Sequence, residues 1–378
     1  MRPLVPLLAS AALAVALPAA AATFLVLPDG SGDTPSIADA LRLAVSGDVI
    51  ELGDGVFGGL GSAGLATDGR ALTLRSHSGN PGACVIDGAA ATTSLLRIGG
   101  GGSELCRIEG IGFRGAALSN ADGGALFIES GAPRIANCRF SDNAAHRGGA
   151  VLCTGGAPRF ENCLFVDNRA STGGGALAAT EAADVTVTGC RFAGNTAAYG
   201  GAFFVDRASL TLAGNIVVGN SASERGGAIY AGDHASLDVA TCTLAWNDAP
   251  AGCGLTLVTF ANAALRRTIL AFGAGGEAVD LRYDATIAVS CSDLFGNAGG
   301  DWTGALAAQA NQAGNLAADP RFCGDADDQN VGLAADSPCA AGASACGAMG
   351  AKPVSCAGRE ARETSLGAVK TLYGRGGD

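Results

Sequence analysis

Aromatic residues make up only 5% of this 378-residue chain, which counts against a long groove paved with rings for stacking sugars. Histidine is just as scarce. His77, His146 and His234 stand in no spacing, to one another or to cysteine, that matches a metal site, and His146 reads as a solvated loop residue. Basic charge is in deficit: 24 Lys and Arg face 35 Asp and Glu, for a net charge of −11, which counts against nucleic acid and anionic membrane surfaces as partners. After the N-terminus no stretch approaches the roughly 18 uninterrupted apolar residues of a membrane helix. No series of alternating segments of roughly ten residues marks a transmembrane barrel at the C-terminus, so self-translocation as an autotransporter is not expected.

What the chain has in abundance is glycine, 59 residues, and the glycines are periodic. A Gly-Gly-Ala triplet recurs at Gly123, Gly148, Gly174, Gly200 and Gly226, in steps of 25, 26, 26 and 26 residues. Each triplet is followed by a short apolar run and then by a phrase ending in asparagine: Cys138-Arg139-Phe140 to Asn143, Cys163-Leu164-Phe165 to Asn168, Cys190-Arg191-Phe192 to Asn195, Asn215-Ile216-Val217 to Asn220, and Cys242-Thr243-Leu244 to Asn247. A fixed period in this range marks a repeat architecture. No repeat carries a helical 3.6-residue apolar period. Aligned copies instead alternate: Leu126, Val151, Leu177, Phe203 and Ile229 are followed two residues on by Ile128, Cys153, Ala179, Val205 and Ala231. Period-2 runs punctuated by Gly, Asn and Asp read as short strands, two or three per repeat.

Strands in successive copies then stack at the inter-strand spacing, about 4.8 Å. The expected fold is all-β: a single-stranded right-handed parallel β-helix, a solenoid with a short N-terminal capping α-helix. In such a stack like residues lie above like. Phe140, Phe165 and Phe192 form an aromatic column. Asn143, Asn168, Asn195, Asn220 and Asn247 form an amide ladder at a bend. The paired glycines suit another bend, where positive φ or close approach is needed.

Gly-Gly-Ala-(Ile/Leu/Val) followed by Phe-x-x-Asn resembles the repeat of the chlamydial polymorphic outer-membrane proteins, and more broadly the right-handed β-helix, pectin-lyase-like superfamily of secreted bacterial proteins. Two copies depart, with Val217 and Leu244 in place of Phe. The repeat covers about a third of the chain. The resemblance is specific for fold and weak for function, because this fold hosts enzymes, adhesins and inert shells alike.

Residues 1–22 read as a secretory signal: Arg2 supplies the positive start, Leu4 to Leu17 the apolar run, and Ala20-Ala21-Ala22 a cleavage site before Thr23. The β-helix domain is expected over 23–356, with regular repeats over 123–247, a Cys-rich closing region over 319–356 and a tail over 357–378. Near the start, Thr34 as N-cap, Pro35 at N1 and Gly47 past the C-terminus frame a helix, with Ile37, Ala40, Leu41, Ala44 and Val45 as its apolar stripe. This helix caps the exposed strand edge of the first coil. Asn297 extends the asparagine ladder, residues 298–318 form a loop, and Ser365 to Tyr373 form a helical turn or two. The closing region resembles the last coil of many secreted β-helix proteins.

Thirteen cysteines in a secreted chain point to disulfides, with one left over. Those of the closing region, Cys323, Cys339, Cys346 and Cys356, are expected to pair as Cys339–Cys346 and Cys323–Cys356. Cys138, Cys163 and Cys190 share one inward position on successive coils. They are either small buried apolar residues or coil-to-coil bridges.

Enzymes of the resembled superfamily work in a flank groove. Pectate lyases hold Ca²⁺ on carboxylates beside an Arg or Lys base, polygalacturonases cluster aspartates with Gly-His-Gly and Arg-x-Lys, and pectin esterases pair aspartates with an arginine. None of these motifs is legible here. Asp325, Asp327 and Asp328 form a hard-oxygen loop that is the one Ca²⁺ candidate, set against a plainly solvated acidic loop. Outward-facing Arg134, Arg139, Arg159 and Arg191 alternate with Asp142 and Asp167, either as a strip for acidic polysaccharide or as a mixed-charge face. No cofactor is otherwise expected. The sequence points to a secreted, extracellular or outer-membrane-surface repeat protein contacting a polysaccharide or a host or cell-surface component, or serving structurally. A polysaccharide lyase or glycoside hydrolase acting on the flank is the alternative.

Overall fold

A computed structural model describes residues 21–100, 105–327 and 329–357. The expected signal segment up to residue 20, residues 101–104, Asp328 and the tail from residue 358, with its expected Ser365–Tyr373 helix, lie outside the described residues.

Each regular coil contains four short strands, one more than the alternation alone suggested. In the coil after the first triplet they are Leu126–Ile128, Arg134–Ala136, Arg139–Ser141 and Ala144–Arg147. Repetition of these four builds four parallel sheets running the length of the stack, of 9, 11, 10 and 6 strands in that order. We refer to them as the first to fourth faces. The register is unbroken along the interior: Leu126 pairs with Val151, Val151 with Leu177, Leu177 with Phe203 and Phe203 with Ile229 on the first face. On the third face Phe113, Phe140, Phe165 and Phe192 stack with centroids 5.3, 4.7 and 4.5 Å apart, all with no solvent exposure. Val217, Leu244, Leu270 and Leu294 continue the column where the aromatic residue is missing.

The chain turns between faces by single left-handed residues. Asn137, Asn162, Gly189, Gly214 and Thr241 occupy that conformation between the second and third faces, and Asp142, Asp167, Gly194, Gly219 and Trp246 between the third and fourth. At each corner the next residue points inward, and its side chain takes up the backbone N–H of the preceding coil. Between the third and fourth faces this is the asparagine ladder. The amides of Asn143, Asn168, Asn195 and Asn220 donate to the Oδ1 of the asparagine one coil on, at 3.1, 3.0, 3.0 and 3.0 Å. Each Nδ2 meanwhile donates back to a carbonyl of the previous coil, as Asn195 does to Phe165 at 3.1 Å. Gly273 interrupts the series after Asn247, and Asn297 resumes it by accepting from the Gly273 amide at 3.0 Å.

A second ladder, not legible as one in the sequence, runs up the corner between the second and third faces. Cys163 N–H donates to Cys190 Sγ at 3.2 Å, Cys190 to Asn215 Oδ1 at 2.8 Å, Thr268 to Ser292 Oγ at 3.1 Å and Ser292 to Asn315 Oδ1 at 3.1 Å. Cys138, Cys163 and Cys190 are therefore free, buried thiols that serve as rungs and do not bridge coils. At the glycine turn the two members of each pair have different duties. Gly148 sits at φ +59°, while a Cβ on Gly149 would run into the carbonyl oxygens of Gly175 and Arg169 in the next coil.

The cap helix spans Ile37–Leu43. Its N-cap is Ser36, not Thr34: the Ser36 hydroxyl accepts from the Asp39 amide at 3.1 Å, so the helix starts two residues later than Pro35 implied. Ala44 is the C-cap, stabilised by Arg70, whose Nη1 donates to the Ala44 carbonyl at 2.9 Å. Ile37, Ala40, Leu41 and Ala44 are buried, but Val45 lies past the helix and is 63% exposed. The far end is closed by a 3-10 helix, Gly304–Gln309, within the segment expected to be loop. There Gln309 accepts from the Val289 amide and donates to the Ile287 carbonyl, covering the last strand of the second face.

The closing region does not add a last coil. It folds back over the outer side of the third face. Phe322, Val331, Leu333, Cys339 and Met349 form a second apolar cluster with the outward-pointing Ile216, Val218, Ala245, Ile269 and Ala271. Cys291–Cys346 tethers it to the last coil, and Cys323–Cys356, as expected, closes it on itself. The expected Cys339–Cys346 bridge does not form. Cys339 is buried beneath the returning segment against Asp293, while Cys346 lies at the final corner beside Cys291 and Gly314.

Two outcomes follow. Asn195→Ala strips an acceptor from Asn168 and a donor from Phe165 in a dry corner, and is expected to cost on the order of 2–4 kcal/mol by urea denaturation. Asn247→Ala costs less, because the Asn247 Nδ2 donates only to the Val217 carbonyl, while that of Asn195 also donates to Asn220 Oδ1. Iodoacetamide should leave all nine free cysteines of the folded protein unmodified, label nine after denaturation and thirteen after reduction, as read by mass spectrometry.

Candidate functional site

The outward positions of the first face form the most chemically varied surface. The residue between the two inward ones of each strand points out, giving a column of Phe127, Leu152, Ala178, Phe204, Tyr230, Thr256 and Asp280. Leu152, Ala178 and Thr256 are buried although they face outward, because the ends of the fourth-face strands and the glycine turns lie over them. Gly173 of the fourth face, for example, packs against the Phe204 ring. Phe204 and Tyr230 are only half-buried and stack in parallel at 5.4 Å, and Tyr199 at the end of a fourth-face strand leans on Tyr230 at 5.2 Å. Burial raises the Tyr230 hydroxyl above its ordinary pKa, with Tyr199 adding to the shift.

The far edge of this face is a ridge of left-handed residues that includes Arg207, His234, Phe260 and Tyr283. Phe260 and Tyr283 are 54% and 69% exposed, and His234 and Phe260 hold their rings 5.3 Å apart. Positive φ is unusual for bulky side chains, and two exposed aromatics in that state mark the ridge as more than connection. Carboxylates and guanidiniums surround the rings in pairs: Asp206 with Arg207 at 3.3 Å, and Asp280 with Arg282 at 2.7 Å. Tyr199, Phe204, Tyr230, Phe260 and Tyr283 thus gather on one short flank. The sequence signal was the middle residue of each first-face strand, which the period-2 alignment passes over in favour of its inward neighbours.

The histidines are each matched to an acid. His77 Nδ1 lies 2.8 Å from Glu51, His146 Nδ1 3.3 Å from Asp122 and His234 Nδ1 2.6 Å from Asp233, all at the surface. The arginine strip does not exist as one surface. Arg134 and Arg159 lie on the second face and Arg139 and Arg191 on the third. Arg134 is bound by Glu109 at 2.8 Å and Glu161 at 2.6 Å, and those carboxylates hold its guanidinium above its ordinary pKa. Asp325 and Asp327 are exposed members of one turn, joined by the Asp327 amide donating to Asp325 at 3.1 Å, and Asp328 is outside the described residues. Among the described residues no group of three or more His, Cys, Asp or Glu is placed to hold a metal.

A separate cleft of about 730 Å³ opens between the third face and the returning segment. Arg191 and Ile216 form its floor, and Gln329, Lys352, Pro353 and the Cys323–Cys356 disulfide belong to its walls. Deeper under the same segment is an acid with no exposure, Asp293. Its Oδ1 accepts from the Ala318 amide at 3.1 Å, and its Oδ2 from the Cys339 thiol at 3.3 Å. Burial pushes Asp293 up to about 7 and drives the Cys339 thiol well above its ordinary range.

Parallel coils turning at left-handed corners define a β-helix, and a family model described as a right handed beta helix region matches residues 74–244. That span runs from the second-face strand Thr73–Ser76 to the third-face position of Leu244, and so includes the regular coils. No curated protein matches the chain. Among the described residues no helix is long and apolar enough to cross a membrane.

Asp293 gives the fold a pH dependence of defined sign. Its folded pKa lies above that of the unfolded chain, so between about pH 4 and 7 the folded state keeps a proton that the unfolded state has released. Stability from this residue is complete below that window, falls as pH rises through it and is level above it. The shift corresponds to roughly 4 kcal/mol. Asp293→Asn should therefore unfold at a higher temperature than the parent at pH 8, with the gain shrinking toward pH 4. Parallel melting-temperature profiles for the two proteins would show that Asp293 titrates normally.

Proposed function

We propose that this protein is an extracellular β-helix whose first-face flank binds a polysaccharide. The observation that carries the reading is the aromatic cluster of Tyr199, Phe204 and Tyr230, with the exposed Phe260 and Tyr283 on the adjoining ridge. Rings present apolar faces to the C–H side of a sugar, and their hydroxyls and the neighbouring Asp206–Arg207 and Asp280–Arg282 pairs supply donors and acceptors for its hydroxyls. The groups recur once per coil, about 4.8 Å along the axis. A linear polysaccharide also repeats ring by ring on a comparable length, so a stacked flank suits a chain better than an isolated sugar.

Binding is favoured over cleavage by the state of the carboxylates. General acid–base hydrolysis of a glycoside uses two carboxyl groups flanking one bond. Here Asp206 and Asp280 each carry a guanidinium partner. Export is supported by the apolar N-terminal run, its Ala22–Thr23 cleavage site and the two disulfides, which suit an oxidising compartment. A bacterial cell-surface or secreted setting, with a polysaccharide or host surface as the contact, is the reading that joins these features to the repeat.

Affinity electrophoresis through gels containing neutral and acidic polysaccharides tests this. At least one polymer should retard the protein, and Tyr230→Ala should lower that affinity about tenfold while unfolding as cooperatively as the parent. Equal retardation of the parent and Tyr230→Ala would move the site elsewhere. New reducing ends after incubation would replace binding by catalysis.

A further inference from the structure

The cleft under the returning segment lies on the third face, away from the aromatic flank, and has the opposite electrostatic character. The chain carries a net charge of −11 and only two lysines, yet Lys352 and Arg191 both line this one cleft, and among the described residues no Asp or Glu does. Arg191 is the more informative of the two. It projects outward from the third-face strand Arg191–Ala193 and is half-covered by the returning segment. Among the described residues no carboxylate lies within ion-pairing distance of it. Its Nη2 donates to Gln329 Oε1 at 2.9 Å, a neutral partner reached across 138 residues of sequence. Burial pushes its guanidinium below its ordinary pKa. Three other outward arginines are neutralised by neighbours. Arg134, Arg147 and Arg266 each meet an aspartate or glutamate on an adjacent coil.

A half-buried cation held by a glutamine, with a second cation across the cleft, is an arrangement suited to an anion. The remaining lining identifies what kind. Ile216, Pro353 and the Cys323–Cys356 disulfide supply apolar surface, and Ser355 and Asn330 supply polar groups. At about 730 Å³ the space is far larger than an inorganic oxyanion needs and lies within the range of organic-ligand sites. We infer that this cleft binds an organic anion, a carboxylate carried on a hydroxylated body of sugar size, with Arg191 and Lys352 on the carboxylate and Ser355 among the groups facing the hydroxyls. The cleft is formed jointly by a coil and by the segment that Cys291–Cys346 pins to the stack and Cys323–Cys356 closes on itself, so the site depends on the oxidised protein.

Titration calorimetry on the oxidised protein with glucuronate, glucose and inorganic phosphate is the test. Glucuronate should bind at one site and glucose should give no heat. Arg191→Gln should weaken glucuronate at least tenfold and Lys352→Gln severalfold. Lys352 is exposed, so its variant reports on binding even if the Arg191 change disturbs folding. Tyr230→Ala should leave glucuronate binding unchanged, which separates this site from the polysaccharide flank. Absence of glucuronate binding at millimolar concentration, or undiminished binding by both cleft variants, would overturn the inference. Phosphate binding as tight as that of glucuronate would overturn the organic body.

Discussion

The structure depends on one recurring bond: a corner amide in one coil donating to a side chain in the next. A chain that turns four times per coil cannot keep every backbone group in a sheet ladder, and an interior amide left dry costs on the order of 1–3 kcal/mol. Two inward columns solve this, asparagines from Asn143 to Asn247 and a mixed column of Cys, Asn, Thr and Ser from Cys163 to Ser292. Asparagine does both jobs in its column, accepting from the coil before and donating to that coil's carbonyl. The left-handed residue just ahead of each rung aims it inward. Strand packing, the phenylalanine column and the glycine turn all follow from coils held in that register.

The parts of the fold that repeat were legible, because repetition turns a weak local signal into a strong one. The asparagine ladder, the phenylalanine column and the glycine turns could be placed from spacing alone. The second ladder was hidden by its chemistry: a thiol, an amide and two hydroxyls do not align as letters, yet each offers an acceptor of similar reach. The returning segment was hidden by the same habit of reading only alternation. Ile216-Val217-Val218 and Ile269-Leu270-Ala271 are apolar throughout, the pattern of strands covered on both sides, and what covers them is the closing region. With that segment misplaced, the partner of Cys346 could not be found either, since Cys291 comes near it only when the chain doubles back.

The functional surfaces were less legible because they lie where the repeat is free to vary. Outward positions are under no stacking constraint, so Phe204 and Tyr230 occupy a slot that holds Leu152 and Ala178 in earlier coils. The arginines show how misleading a linear reading can be. Arg134 and Arg191 look equivalent along the chain, but one is neutralised by two glutamates of neighbouring coils and the other waits in a cleft lined by a segment more than a hundred residues away.

The ladder also has a direction. The rungs give their backbone amides forward and receive from behind, so a bare stack has unlike ends, one offering acceptors and the other donors, as the two faces of a toy brick differ. Left open, such ends are complementary, the condition for head-to-tail association. The helix at Ile37–Leu43 and the Gln309 turn blunt them differently, one by burying side chains and the other by mimicking the missing coil's hydrogen bonds. The length of this molecule is thereby set at its ends. Nothing in the repeat itself says when to stop.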